Sequence, residues 1–173
     1  MKQASKSWWL PFFLILSLGF LLHFLYTWLP IPLTALISPV RESLWEHVKI
    51  IFWPLLLAGF WAVRADRTDS LAPWLAASLT VNGLMLAVSY LWNVVLGLDG
   101  GVFNIALYVL SMLMAFLLVP FFRRRLGPGG AILVRLLALI LAALILWFTF
   151  SLPAGVLFAD LSGEVRTFLT IPV

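Results

Sequence analysis

Five long apolar runs, at about residues 8–29, 48–65, 73–97, 102–122 and 131–151, constrain this chain of 173 residues more than any other feature. Each is close to the ~20 residues an α-helix needs to cross a ~30 Å hydrocarbon core. In hydrocarbon every backbone N–H and C=O must be satisfied within the protein, so runs of this length read as spanning helices. The joints agree. "PIP" at 30–32, "RADRTDSLAP" at 64–73, "GLDGG" at 97–101 and "RRRLGPGG" at 123–130 carry the proline, glycine and charge that interrupt helices. Lys2 and Lys6 precede the first run as they would in a signal peptide, but no small-x-small cleavage pattern follows, so the run reads as a retained first span. Nothing is left over for a second folded unit. The expected fold is all-α: one integral membrane domain over 1–173, a five-helix transmembrane bundle with a tail at 152–173.

Basic residues set the expected orientation. Lys2, Lys6, Arg64, Arg67, Arg123, Arg124, Arg125 and Arg135 fall on one side of the five spans, whereas only Arg41, Lys49 and Arg166 fall on the other. The positive-inside rule then places the N-terminus in the cytoplasm and the C-terminus outside the cytoplasmic membrane. The net charge of +4 comes from residues flanking apolar runs, where it meets lipid headgroups, so the expected partner is membrane lipid and not nucleic acid. With no cysteine, disulfides, thiolate metal sites and thiol nucleophiles are excluded.

Against 10% charged residues overall, Arg41, Glu42, Glu46, His47 and Lys49 crowd into nine positions ahead of the second span. Ser38 as N-cap and Pro39 at the first helical position predict that this helix starts at 39 and runs to about 65, roughly 40 Å, with its first turns in the headgroup layer. On such a helix Glu42, Glu46 and Lys49 share a face, Glu46 can pair with Lys49, and Pro54 kinks the helix by freeing the Ile50 carbonyl. The plainer reading is a solvated helix end with acidic residues favourably near its N-terminus.

Polar side chains inside the other spans also follow helical spacing. Ser78, Asn82, Ser89 and Asn93 lie within about 60° of one another on the third span. Asn104, Tyr108 and Ser111 form a similar seam on the fourth, and Gly19, His23, Tyr26 and Thr27 on the first. Such seams serve either as helix-packing contacts or as the wall of a cavity. The fifth span has none and reads as lipid-facing. The expected topology gathers His23, Tyr26, Glu42, Glu46, His47, Tyr90, Asn93, Asp99 and Asn104 at the outer side, with Asp160 and Glu164 in a tail able to cover them. Trp8, Trp9, Trp28, Trp45, Trp74, Trp92 and Trp147 lie near span ends, as an interfacial aromatic belt requires.

The stretch from "HFLY" at 23–26 through "SPVRESLWEHVKIIFWP" at 38–54 resembles an uncharacterised prokaryotic domain-of-unknown-function family of small polytopic membrane proteins, marked by a Pro-Val-Asn-Glu-Ser-x-Trp-Glu-His-x-Lys core. Pro39, Val40, Glu42, Ser43, Trp45, Glu46, His47 and Lys49 match that core, and Arg41 replaces its asparagine. The resemblance implies an architecture and a site without implying a reaction.

The resulting expectation is an outward-facing binding site for a small molecule, ion or lipid-like ligand. Glu42, Glu46 and His47 are its catalytic candidates, and His23, Tyr26, Arg41, Asn93, Asn104 and Asp160 its ligand-binding candidates. A divalent metal would use His23, Glu46 and His47, with Glu42 as a further carboxylate, provided the first span abuts the second. A metal-free carboxylate–imidazole pair would serve acid/base chemistry. The alternative is a structural or accessory subunit whose seams meet a membrane-protein partner or a second copy. No inverted repeat suggests a secondary transporter.

Overall fold

The computed structural model describes residues 9–66, 69–98 and 100–161. Among them the chain is helical without a strand, and five helices are long and apolar enough to cross a membrane. In chain order these are α1 (Trp9–Trp28), a single turn α2 (Pro32–Ala35), α3 (Val48–Ala65), α4 (Leu71–Tyr90, continued by a π turn at Leu91–Val95), α5 (Gly101–Arg125) and α6 (Pro128–Phe150). A 3-10 turn at Val156–Phe158 follows. Asp99 and Glu164, together with Lys2, Lys6, Trp8, Arg67 and Arg166, lie outside the described residues.

Helix α4 is the hub, packing against α3, α5 and α6, while α1 lies against α3 and α5. Its small residues permit this: Ala76, Ala77 and Ser78 are buried, and the core closes around Ile51, Leu55, Val81, Met112 and Ile145. Helix α6 touches the bundle through Ala138, Ile145 and Thr149 and exposes most of its remaining, apolar surface. At the opposite end from the charged turn, Arg123 donates to Asp69 at 2.6 Å and ties α5 to the α3–α4 connection.

Where α1, α3 and α5 meet, contact is very close. Pro54 has no N–H, so the Ile50 carbonyl has no proline partner in the helical ladder. That oxygen lies against Gly19 of α1, only 2.7 Å from where a Cβ would stand. The Tyr108 hydroxyl occupies the same notch and donates to the Leu16 carbonyl at 2.8 Å. The notch therefore requires glycine.

The segment preceding α3 departs from expectation. Helix α3 starts at Val48, not at Pro39, and residues 36–47 form turns folded into the bundle. Ser38 is no N-cap. Its hydroxyl accepts from the Tyr26 N–H at 2.9 Å and donates to the Leu22 carbonyl at 2.5 Å, tying the loop to the last turns of α1. Lys49 is buried, and its ammonium donates to the carbonyls of Ala35 (2.8 Å) and Ser38 (3.3 Å) and to Glu46 Oε2 (2.7 Å). Glu46 Oε2 also accepts the Val40 N–H at 2.8 Å. These tertiary bonds satisfy backbone groups of the folded loop, and a buried ion pair satisfied at every ammonium proton replaces the expected solvated turn.

The tail then crosses this loop. The Trp45 N–H donates to the Leu157 carbonyl at 3.0 Å and the Leu161 N–H to the Glu42 carbonyl at 2.9 Å. The Trp45 ring packs on Phe148 and Phe158, with centroids 5.4 and 5.6 Å away. Trp45 and Trp74 are accordingly buried core residues and not belt residues, whereas Trp9, Trp28 and Trp147 remain exposed at helix ends.

Candidate metal centre

The C-terminal half of α1, the start of α3, the end of α4 and the first turns of α5 enclose a cavity of about 230 Å³. Its wall includes His23, Glu42, His47, Ser89, Asn93 and Asn104, with Leu161 of the tail closing part of it. His23 comes from α1, His47 immediately precedes α3 as its N-cap residue, and Glu42 sits in the folded loop. Because α1 abuts α3, the rings of His23 and His47 stand 5.4 Å apart, centroid to centroid.

Both imidazoles turn Nε2 towards the same carboxylate. His47 Nε2 is 3.4 Å from Glu42 Oε2 and His23 Nε2 is 4.0 Å from Glu42 Oε1. One ligand atom from each of the three residues lies within 4.8 Å of the others. Tetrahedral zinc with ligands at 2.0–2.2 Å separates them by about 3.3–3.5 Å, so the His47–Glu42 edge already fits and the others, within 4.8 Å, are longer than a bound ion would hold them.

The tautomer of His47 follows from its surroundings. Nδ1 is 2.7 Å from the Ser43 carbonyl, which can only accept, so Nδ1 carries the proton. In the neutral ring Nε2 then presents a lone pair to a carboxylate oxygen, a juxtaposition that calls for a proton or a cation between them. Burial lowers the His47 pKa. The hydrogen bond to Glu42, the bond to the Ser43 carbonyl and the charges of Glu42 and Glu46 act the other way and leave it raised overall. A ring N–H held by a backbone carbonyl is also the usual outer-shell support of a metal-bound histidine.

The remaining predicted site residues divide. Asn93 and Asn104 are on the cavity wall, Asn93 half-buried with its amide donating to the Ser89 carbonyl at 2.9 Å, Asn104 exposed at the rim. Glu46 is not. It was expected as a metal ligand and catalytic candidate, but its carboxylate faces Lys49 and Val40, and Glu42 is the carboxylate at the histidines. Tyr26 packs away from the cavity against Ala35 and Val40. Arg41 and Asp160 are partly exposed and do not line the cavity. The lower seam serves packing: Asn82 donates to the Ser78 carbonyl at 2.9 Å within its own helix.

Sequence reasoning missed Ser43, whose carbonyl orients His47 and whose hydroxyl accepts the Glu46 N–H at 3.3 Å. It also missed the apolar wall made by Phe20, Leu44, Ile50, Met85 and Leu107. The His-minus-four relation between Ser43 and His47 was a readable signal for the first; nothing local marks the second.

The family described as "Family of unknown function (DUF6512)" matches residues 1–165. No curated protein and no solved structure matches the chain.

Proposed function

The chain belongs to DUF6512, a family of unknown function, and from the geometry of its cavity we propose that it is an integral membrane protein that binds a divalent transition metal at the extracytoplasmic side. His23, Glu42 and His47 are the ligands. The observation that carries this reading is the convergence of two imidazole Nε2 atoms on one carboxylate, with the outer nitrogen of His47 held by a backbone carbonyl. Imidazole and carboxylate together suit zinc and its neighbours among the divalent first-row metals. Extracytoplasmic placement rests on the distribution of basic residues, which puts Arg41 and Lys49 on the sparse side.

Metal content per folded protein tests the reading. Detergent-purified parent should carry a metal near one equivalent, or take up added Zn²⁺ to that level. Glu42→Gln and His47→Gln should lose it while staying folded, because both side chains are partly exposed and the glutamine at 47 keeps a donor for the Ser43 carbonyl. Arg41→Gln should keep it. A parent that takes up no metal, yet loses a ligand-binding or catalytic activity in the same two variants, would transfer the site to a metal-free acid/base pair.

A further inference from the structure

Three protein ligands leave at least one coordination position of a divalent transition metal open, the arrangement of catalytic rather than structural zinc sites. Resting on the metal reading above, we propose that this position takes the anionic head of an amphiphile whose hydrocarbon part lies along the apolar wall of the cavity. Beside the polar groups Ser89, Asn93 and Asn104 the wall is largely apolar, formed by Phe20, Leu44, Ile50, Met85, Leu107 and Ile105. A small hydrophilic anion would leave these apolar side chains hydrated at a free-energy cost.

The position of the opening points the same way. Asn104 and Ile105 both line the cavity and reach the surface, Ile105 being 54% exposed. They lie in the first turns of α5, a spanning helix whose outward residues Val102 and Leu110 are exposed and apolar. The rim is therefore continuous with a surface suited to lipid. On the Glu42 side the tail borders the cavity: Leu161 forms part of the wall and its N–H donates to the Glu42 carbonyl. An amphiphile can thus bring its head to the metal from the bilayer edge without its chain leaving an apolar environment.

The experiment uses the full chain in detergent, loaded with Co²⁺, whose ligand-field absorption reports the coordination of the bound ion. Acetohydroxamate and a series of straight-chain alkyl hydroxamates are titrated in. The expected result is a spectral change with every member and an affinity that rises about fourfold per added methylene until the wall is filled. Leu107→Gln, or Ile105→Gln at the rim, should flatten that dependence without altering the starting Co²⁺ spectrum. A Co²⁺ spectrum that no hydroxamate changes overturns the inference while the metal site stands. Equal affinity for acetohydroxamate and the longer members, or a chain-length dependence unaltered in both variants and so due to the micelle, overturns the amphiphile. Absence of any protein-bound Co²⁺ spectrum removes the metal reading and this inference together.

Discussion

The Lys49 ammonium lies 2.7 Å from Glu46 Oε2, with both side chains buried, so the charged motif holds a closed ion pair directly beside the Glu42–His47 contact that lines the cavity. The two carboxylates of the motif therefore have different tasks. Glu46 and Lys49 clamp the loop by binding Val40, Ala35 and Ser38; Glu42 is held in place by that clamp.

Glu46→Gln should then behave as a folding mutation. It leaves the buried ammonium without its counter-charge, which costs about 3–5 kcal/mol for pairs of this kind. Lys49→Met should be comparably severe, because it also strips the donor from the Ala35 and Ser38 carbonyls. The double variant should be milder than the sum of the two, since no uncompensated charge remains. Thermal unfolding followed by size-exclusion recovery measures all three. A Glu46→Gln protein that folds at full yield and has lost its metal would make Glu46 the ligand after all.

Gly19→Ala should separate α1 from α3. Its methyl would meet the Ile50 carbonyl as well as the Tyr108 hydroxyl, and a backbone oxygen cannot rotate aside. Overpacking of this kind costs about 1–3 kcal/mol. His23 lies one turn further along α1, so the displacement should also weaken metal binding, visible as faster loss to a chelator. Adding Tyr108→Phe removes the hydroxyl but not the carbonyl and should restore stability only in part; full restoration would show that the Ile50 contact is slack.

The five helices were legible because membrane insertion is decided by the hydropathy of each run taken by itself. The loop before α3 was not. Ser38-Pro39 carries a sound local helix-start signal, and it is overridden by bonds to residues 12 and 16 positions away in the chain, from Ser38 to Tyr26 and Leu22, that no local pattern contains. The same override explains the carboxylates. On a continuous helix Glu42 and Glu46 are equivalent by spacing, and only the folded loop sends one to Lys49 and the other to the histidines. His23 and His47 stood out as ionisable residues in or beside spans, whereas the apolar wall is assembled from side chains that look like any other lipid-facing leucine or isoleucine.

Orientation can be checked independently of the site. A reporter fused after Val173 should score as extracytoplasmic, given the excess of basic residues at Lys2, Lys6, Arg64, Arg67, Arg123–Arg125 and Arg135 on the other side. A cytoplasmic signal would turn the cavity towards the cell interior and remove the placement argued above.

The pH dependence of stability should reverse sign with metal. In the metal-free protein burial lowers the His47 pKa, but Glu42, the Ser43 carbonyl and Glu46 raise it further, so its folded value lies above that of the unfolded chain. A raised folded pKa contributes stability that is fully present below the unfolded imidazole value of about 6.5 and is lost as pH rises through the folded value. The melting temperature of the metal-free protein should therefore fall as pH is raised from about 6 upwards through that window. With Zn²⁺ present the ion competes with the proton for Nε2, so its binding strengthens as the ring deprotonates. Stabilisation by bound ligand follows its saturation, and the metal-induced increase in melting temperature should grow over the same pH range. His47→Gln should reduce both slopes while retaining a donor for the Ser43 carbonyl. Thermal scans across the range, with Zn²⁺ and with chelator, measure the two slopes directly. A metal-free protein whose stability rises with pH would mean that His47 is held neutral and that Glu42 does not act on it.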